Sequence, residues 1–263
     1  MISVIARRTF LAAAAVLALA AASASARDRA PIVAAAANLQ FALTEIAESF
    51  TAATGSRVRL SFGSTGNLSR QIREGAPFEL FLAADDAVPL ALHRDGFTRD
   101  GGRVYALGRI VLVAPNGSPL DPAEGLEGVR ALLDAGGITR FAIANPDHAP
   151  FGIAAREALQ AQGLWDDLQP VLVLGENVSQ AAQFALSGNA EGGIIAYSLA
   201  LAPEVARRGT YALIPEEWHQ PLRHRMALLK GAGAVAQAFY AYMNEPAARE
   251  IMARYGFVLP EGA

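Results

Sequence analysis

The chain has 263 residues, 52% hydrophobic and 18% charged, with 24 Gly and 14 Pro, which excludes a disordered chain or a low-complexity fibre. Its formal charge is -3, with a single lysine (Lys230) and no basic block, so neither nucleic acid nor an anionic membrane is an expected partner. Cysteine is absent, which excludes disulfides, a thiol nucleophile and thiolate-held metals.

Residues 1–26 read as an export signal. Arg7 and Arg8 precede an uncharged apolar run over 10–22, and Ala24-Ser25-Ala26 supplies a small-x-small cleavage site. The run is shorter than the roughly 20 residues that a membrane span needs. Arg7-Arg8-Thr9-Phe10-Leu11 also fits a twin-arginine signal. The expected destination is the periplasm or the exterior.

Beyond it, strand-like and helix-like runs alternate. A strand over 32–36 leads to Leu39, Leu43, Ile46 and Phe50, one face of a helix that Gly55 stops. A strand over 58–62, a helix over 68–74, a strand over 79–83 and a helix over 87–94 follow. The run 109–114 is nearly all apolar and reads as a strand buried on both faces of a parallel sheet. Helices are expected over 126–135, 153–162 and 179–186, and strands over 140–144, 171–174, 193–196, 210–214 and 226–229. Two helices, 234–243 and 247–255, close the chain. This alternation predicts an α/β protein. Polar stretches at 100–108 and 215–223 are the expected crossing points if there are two domains, which would let the last helices pack back on the first half.

Ligands of α/β sheets collect at the carboxyl ends of strands, and four such junctions look alike. Ala35-Ala36-Ala37-Asn38 places Asn38 as an N-cap, and Phe62-Gly63-Ser64-Thr65-Gly66 places Ser64 or Thr65 there. His148-Ala149-Pro150-Phe151-Gly152 and Gly175-Glu176-Asn177-Val178-Ser179 precede two further helices. Each offers unpaired N–H groups and a positive helix pole, which suits an anion. The same residues also serve as ordinary caps, and pattern alone does not bring four junctions together.

These junctions carry a family resemblance. Val33-Ala34-Ala35-Ala36-Ala37-Asn38-Leu39, Ser61-Phe62-Gly63-Ser64-Thr65-Gly66-Asn67-Leu68, the run from Gly75 to Asp85, Ala142-Ile143-Ala144-Asn145-Pro146, Ala149-Pro150-Phe151-Gly152, Gly163-Leu164-Trp165, Gly175-Glu176-Asn177-Val178 and Tyr255-Gly256-Phe257 resemble, in order, the periplasmic molybdate-binding proteins of molybdate ABC transporters. The resemblance implies a two-lobed periplasmic binding protein of type II. Its sheets would be mostly parallel and flanked by helices, with lobes at 27–108 plus 222–263 and at 109–221 and the ligand in the interlobe cleft. It implies Asn38, Ser64, Thr65, Phe151 and Val178 as oxyanion contacts, Phe151 and Val178 through backbone N–H alone, with Ser64 and Thr65 both open as the second contact. Many relatives place a tyrosine hydroxyl in the site; here that position falls on Ala196, and Tyr197 reads as a packed side chain. The implied ligand is molybdate, and tungstate with it, delivered to an ABC permease by a monomer without a cofactor. Molybdenum or tungsten would enter only as the oxyanion. The alternative is another tetrahedral oxyanion, such as sulfate or thiosulfate.

An enzyme is not expected. Gly-x-Ser-x-Gly, His-Glu-x-x-His, P-loop and dinucleotide motifs are missing. His93 stands alone, His148 beside Asp147 reads as a polar pair in a surface loop, and His219 with His224 reads as a polar loop rather than a metal pair. Asp85-Asp86 reads as a helix opening, and Glu216-Glu217 as a solvated loop.

Overall fold

The computed structural model describes residues 30–260; the expected export signal lies outside them. The described chain forms two five-stranded sheets flanked by helices. In the first, β1 (Ile32–Ala36) lies between β2 (Arg59–Gly63) and β3 (Phe78–Leu82), parallel to both. Next to β3 runs β10 (Leu222–Leu228), then edge strand β4 (Arg103–Gly108), both pairings antiparallel. The second sheet repeats the plan. β6 (Phe141–Ala144) lies between β7 (Leu172–Gly175) and β8 (Gly192–Ala196), parallel to both, and β5 (Ile110–Pro115) joins β8 to β9 (Gly209–Leu213), antiparallel to each.

The sheets are thus mixed rather than mostly parallel. β5 is as buried as its apolar sequence predicts, yet neither neighbour is parallel to it. An apolar run reports burial on both faces, and a strand between two others acquires that in either direction. The expected crossing at 100–108 is largely strand β4, so the chain passes between sheets at Arg109 alone. The second crossing spans 214–221, because β10 already begins at Leu222. Arg109 in the first crossing pairs with Glu216 in the second at 2.8 Å.

Helix α1 (Gln40–Thr54) buries Leu43, Ile46 and Phe50 on one face, and Gly55 ends it at φ 71 with its N–H on the Thr51 carbonyl, the left-handed cap that glycine favours. The C-terminal helices α10 (Ala234–Tyr242) and α11 (Pro246–Arg254) return to the first sheet's side as expected. Phe239 and Tyr242 pack edge-on against Phe50, with centroids at 5.1 and 5.3 Å. Val258 then exchanges two hydrogen bonds with Leu107 of β4.

Candidate functional site

Two βα units in each sheet point the same ends at the interlobe cleft. The loops after β1 and β2 belong to the first sheet, and those after β6 and β7 to the second. All four meet around a cavity of about 10 Å³ lined by Asn38, Ser64, Thr65, Ala84, Phe151, Asn177, Val178 and small neighbours. The five site residues expected from the sequence therefore share one cavity, and its lining contains no charged side chain. A larger groove of about 470 Å³ opens beside it, shares Pro150 with it, and is edged by Arg70, Asp85, Asp147 and Glu157.

Three helix starts supply donors. Ser64 caps α2 (Thr65–Arg73) by accepting from Asn67 N–H, and Asn177 caps α7 (Val178–Ala185) by accepting from Ser179 and Gln180 N–H. Pro150 opens α5 (Pro150–Ala161), where its missing N–H costs nothing. The N–H groups of Thr65, Phe151 and Val178 have no acceptor among the described residues, as first-turn groups do when something outside the helix must satisfy them. The Thr65 hydroxyl accepts from Ala84 N–H at 3.0 Å, which leaves its own hydrogen to donate. Thr65→Val keeps the shape but strands the buried Ala84 N–H, and is expected to destabilise by about 1–3 kcal/mol in thermal unfolding, with Thr65→Ser near wild type.

Asn38 is not an N-cap. It sits inside a 3₁₀ turn, Ala37–Leu39, that precedes α1 and has no side-chain cap. Its amide nitrogen instead meets His224 Nε2 at 2.9 Å, while its Oδ1 is buried without a partner. His224 is not in a polar loop either. It is fully buried on β10, with Nδ1 at 2.9 Å from the Leu222 carbonyl. The signal was present: Leu222, His224 and Met226 alternate with Arg223 and Arg225, the period of a strand with one buried face. Among the described residues no group of three or more metal-ligating side chains occurs.

His148 is half-buried rather than simply solvent-facing. It bridges the cleft: its Nδ1 lies 2.9 Å from Ser64 Oγ, its carbonyl accepts from Gly66 N–H, and its Nε2 lies 3.6 Å from Glu176. Asn67 donates to Glu176 beside it. On the other side of the cavity Ser179 and Ser198 hydroxyls donate to the Ala37 and Asn38 carbonyls. Side-chain and backbone bonds between the lobes thus flank the cavity. Tyr197 is absent from the cavity lining and packs against Tyr211 at 5.7 Å, in keeping with the packed reading.

Burial pushes the His224 ring down to about 4, outweighing the Leu222 hydrogen bond that favours its charged form. The ring is neutral at pH 7 in folded and unfolded chains alike. As the pH falls below about 6.5, the unfolded chain takes up a proton that the folded one refuses, so stability is lost until about pH 4, by at most ~3 kcal/mol. Thermal unfolding across this window should show the loss, and His224→Phe should lack that part of it.

Comparison with known proteins shows the family and the fold of the chain. Residues 32–258 match the family of bacterial extracellular solute-binding proteins. The molybdate-binding protein ModA of Rhodobacter capsulatus is 37% identical over 230 residues, which cover 86% of this chain and 87% of the relative. ModA of Azotobacter vinelandii is also 37% identical over 230 residues, covering 86% and 89%. A solved periplasmic molybdate-binding protein from Azotobacter vinelandii superposes with a TM-score of 0.79 at 30% identity, over 88% of this chain and 100% of that one. The chain belongs to the bacterial extracellular solute-binding protein family, in its ModA branch.

Proposed function

We propose that this chain is a periplasmic binding protein, not an enzyme, that captures molybdate, and tungstate with it, and delivers it as a monomer to an ABC permease. The lobes would comprise residues 27–108 plus 222–263 and 109–221. The observation that carries the reading is the convergence of Asn38, Ser64, Thr65, Phe151 and Val178, from both sheets, on one cavity lined without a charged side chain. The names of the relatives support molybdate as the ligand. No helix among the described residues is long and apolar enough to cross a membrane.

A neutral donor set suits a fully ionised oxyanion. Backbone N–H groups at three helix starts place positive poles around the ligand. A protonated oxyanion, such as hydrogen phosphate, would bring a hydroxyl into a shell dominated by donors and leave it poorly paired. Molybdate and tungstate are nearly equal in size, so the site should barely separate them, whereas sulfate must be excluded by size. The cavity holds about one water-sized sphere. Uptake of a larger tetrahedral ion therefore requires the lobes to part and close again, and the interlobe hydrogen bonds re-form around it.

Thermal unfolding of the protein with molybdate, tungstate, sulfate or phosphate in excess tests the reading. A ligand at about a thousand times its Kd stabilises by roughly 4 kcal/mol. Large shifts with molybdate and tungstate and none with sulfate are expected. A shift with sulfate alone would keep the site and change the substrate.

A further inference from the structure

We propose that His224 is a positioning residue for the oxyanion site: its Nε2 holds the Asn38 amide by the nitrogen, so that Asn38 meets the ligand as a donor. The inference rests on the oxyanion reading above. A carboxamide can present either of its ends, and its oxygen is an acceptor that an oxyanion would meet unfavourably. The Asn38 side chain makes one hydrogen bond among the described residues, to His224, and its Oδ1 makes none. The choice between the two orientations therefore falls to His224.

The histidine is itself fixed. Its Nδ1 faces the Leu222 carbonyl at 2.9 Å and so must carry the hydrogen, which leaves Nε2 as an acceptor in the neutral ring. An acceptor at 2.9 Å from Asn38 can accept only from an N–H of the amide nitrogen, whose second hydrogen remains for the ligand. The ring is held edge-to-face by Tyr105, Phe151 and Phe257 at 5.5–5.9 Å. Gly108 leaves it room, since a Cβ there would lie 2.6 Å from the ring. Of these neighbours only Tyr105 is titratable, and burial raises its pKa well above the ordinary value. The adjacent charges on β10 turn elsewhere: Arg223 pairs with Asp86 at 2.8 Å, and Arg225 donates to the Gly101 and Gly102 carbonyls. Burial keeps the ring neutral at pH 7, which preserves the acceptor. Phe151 touches His224 with its ring and itself lines the cavity, so one residue braces the positioner of one proposed contact and would supply another through its backbone N–H.

The test is a cycle of variants titrated with molybdate, each checked for folding by thermal unfolding. His224→Phe is expected to weaken binding about tenfold, which corresponds to ~1.4 kcal/mol. His224→Gln, which returns an acceptor near Nε2, should recover most of the loss. In the Asn38→Ala background His224→Phe should cost nothing further, because the group it positions is gone. Wild-type affinity in His224→Phe, or a loss that adds in full to that of Asn38→Ala, would overturn the inference. Should His224→Phe fail to fold, the ¹⁵N spectrum of histidine-labelled wild-type protein decides: a neutral ring protonated at Nδ1 supports the proposal, and one protonated at Nε2 overturns it. Absence of molybdate binding by the wild-type protein would remove the oxyanion reading itself, and this inference with it.

Discussion

Gly66→Ala is expected to weaken molybdate binding by about tenfold or more, ~1.4 kcal/mol per decade, with only a small net change in the thermal stability of the ligand-free protein. Gly66 lies in the first turn of α2, and its N–H donates to the His148 carbonyl of the opposite lobe at 3.0 Å. A Cβ at this position would lie 2.7 Å from that carbonyl oxygen, 2.9 Å from His148 Cβ and 3.1 Å from His148 Cα. Backbone cannot swing aside as a long side chain can, so relief comes from moving the lobes apart. Separation breaks the Gly66–His148 and Ser64–His148 bonds and draws the Thr65 donor away from those of Phe151 and Val178. Each lobe keeps its own core. Gly66 is not among the positive-φ glycines, so its backbone suits alanine, and alanine favours a helix by up to about 1 kcal/mol over glycine in a helix interior. Calorimetric titration beside thermal unfolding measures both effects. Unaltered affinity would show that binding does not need this close approach.

Val178→Pro is expected to reduce affinity by about ten- to a hundredfold, because on the proposed reading it removes a single N–H that would meet a charged ligand, a bond of roughly 1.5–3 kcal/mol. Alanine cannot test a backbone donor; proline can, provided the fold accepts it. Val178 is the first residue of α7, the position where proline is best tolerated. Asn177 before it is extended, at φ -155 and ψ 173, as a residue preceding proline prefers to be. The cap survives as well, since Asn177 accepts from Ser179 and Gln180 and not from Val178. Val178→Ala retains the N–H and should bind within a few-fold of wild type. If Val178→Pro and Val178→Ala bind alike, the Val178 N–H is not a ligand contact.

Much of the fold is legible in the sequence because local rules and burial agree there. The face Leu43, Ile46, Phe50 and the stop at Gly55 define α1 without any tertiary knowledge. The site is legible as four similar junctions, since each strand end carries its own capping chemistry. Two kinds of information were not local. β4 is an edge strand whose Arg103 and flanking glycines resemble a loop, and only pairing with β10 and Val258 makes it a strand. The partners of the junctions were hidden for the same reason. Asn38 reads as a cap because such residues usually satisfy their own helix, but here its partner lies 186 positions away on β10. His148 reads as exposed because its loop is polar, yet α2 of the other lobe covers it. Direction of strands, and which side chain meets which across the cleft, are properties of the assembled sheets.

The most direct test of the account is a calorimetric titration of the purified protein with molybdate, repeated in a large excess of sulfate. The account predicts saturable binding of one molybdate per chain that sulfate does not displace. Absence of saturable binding, or its loss in sulfate, would contradict a neutral donor site selective for the larger oxyanion.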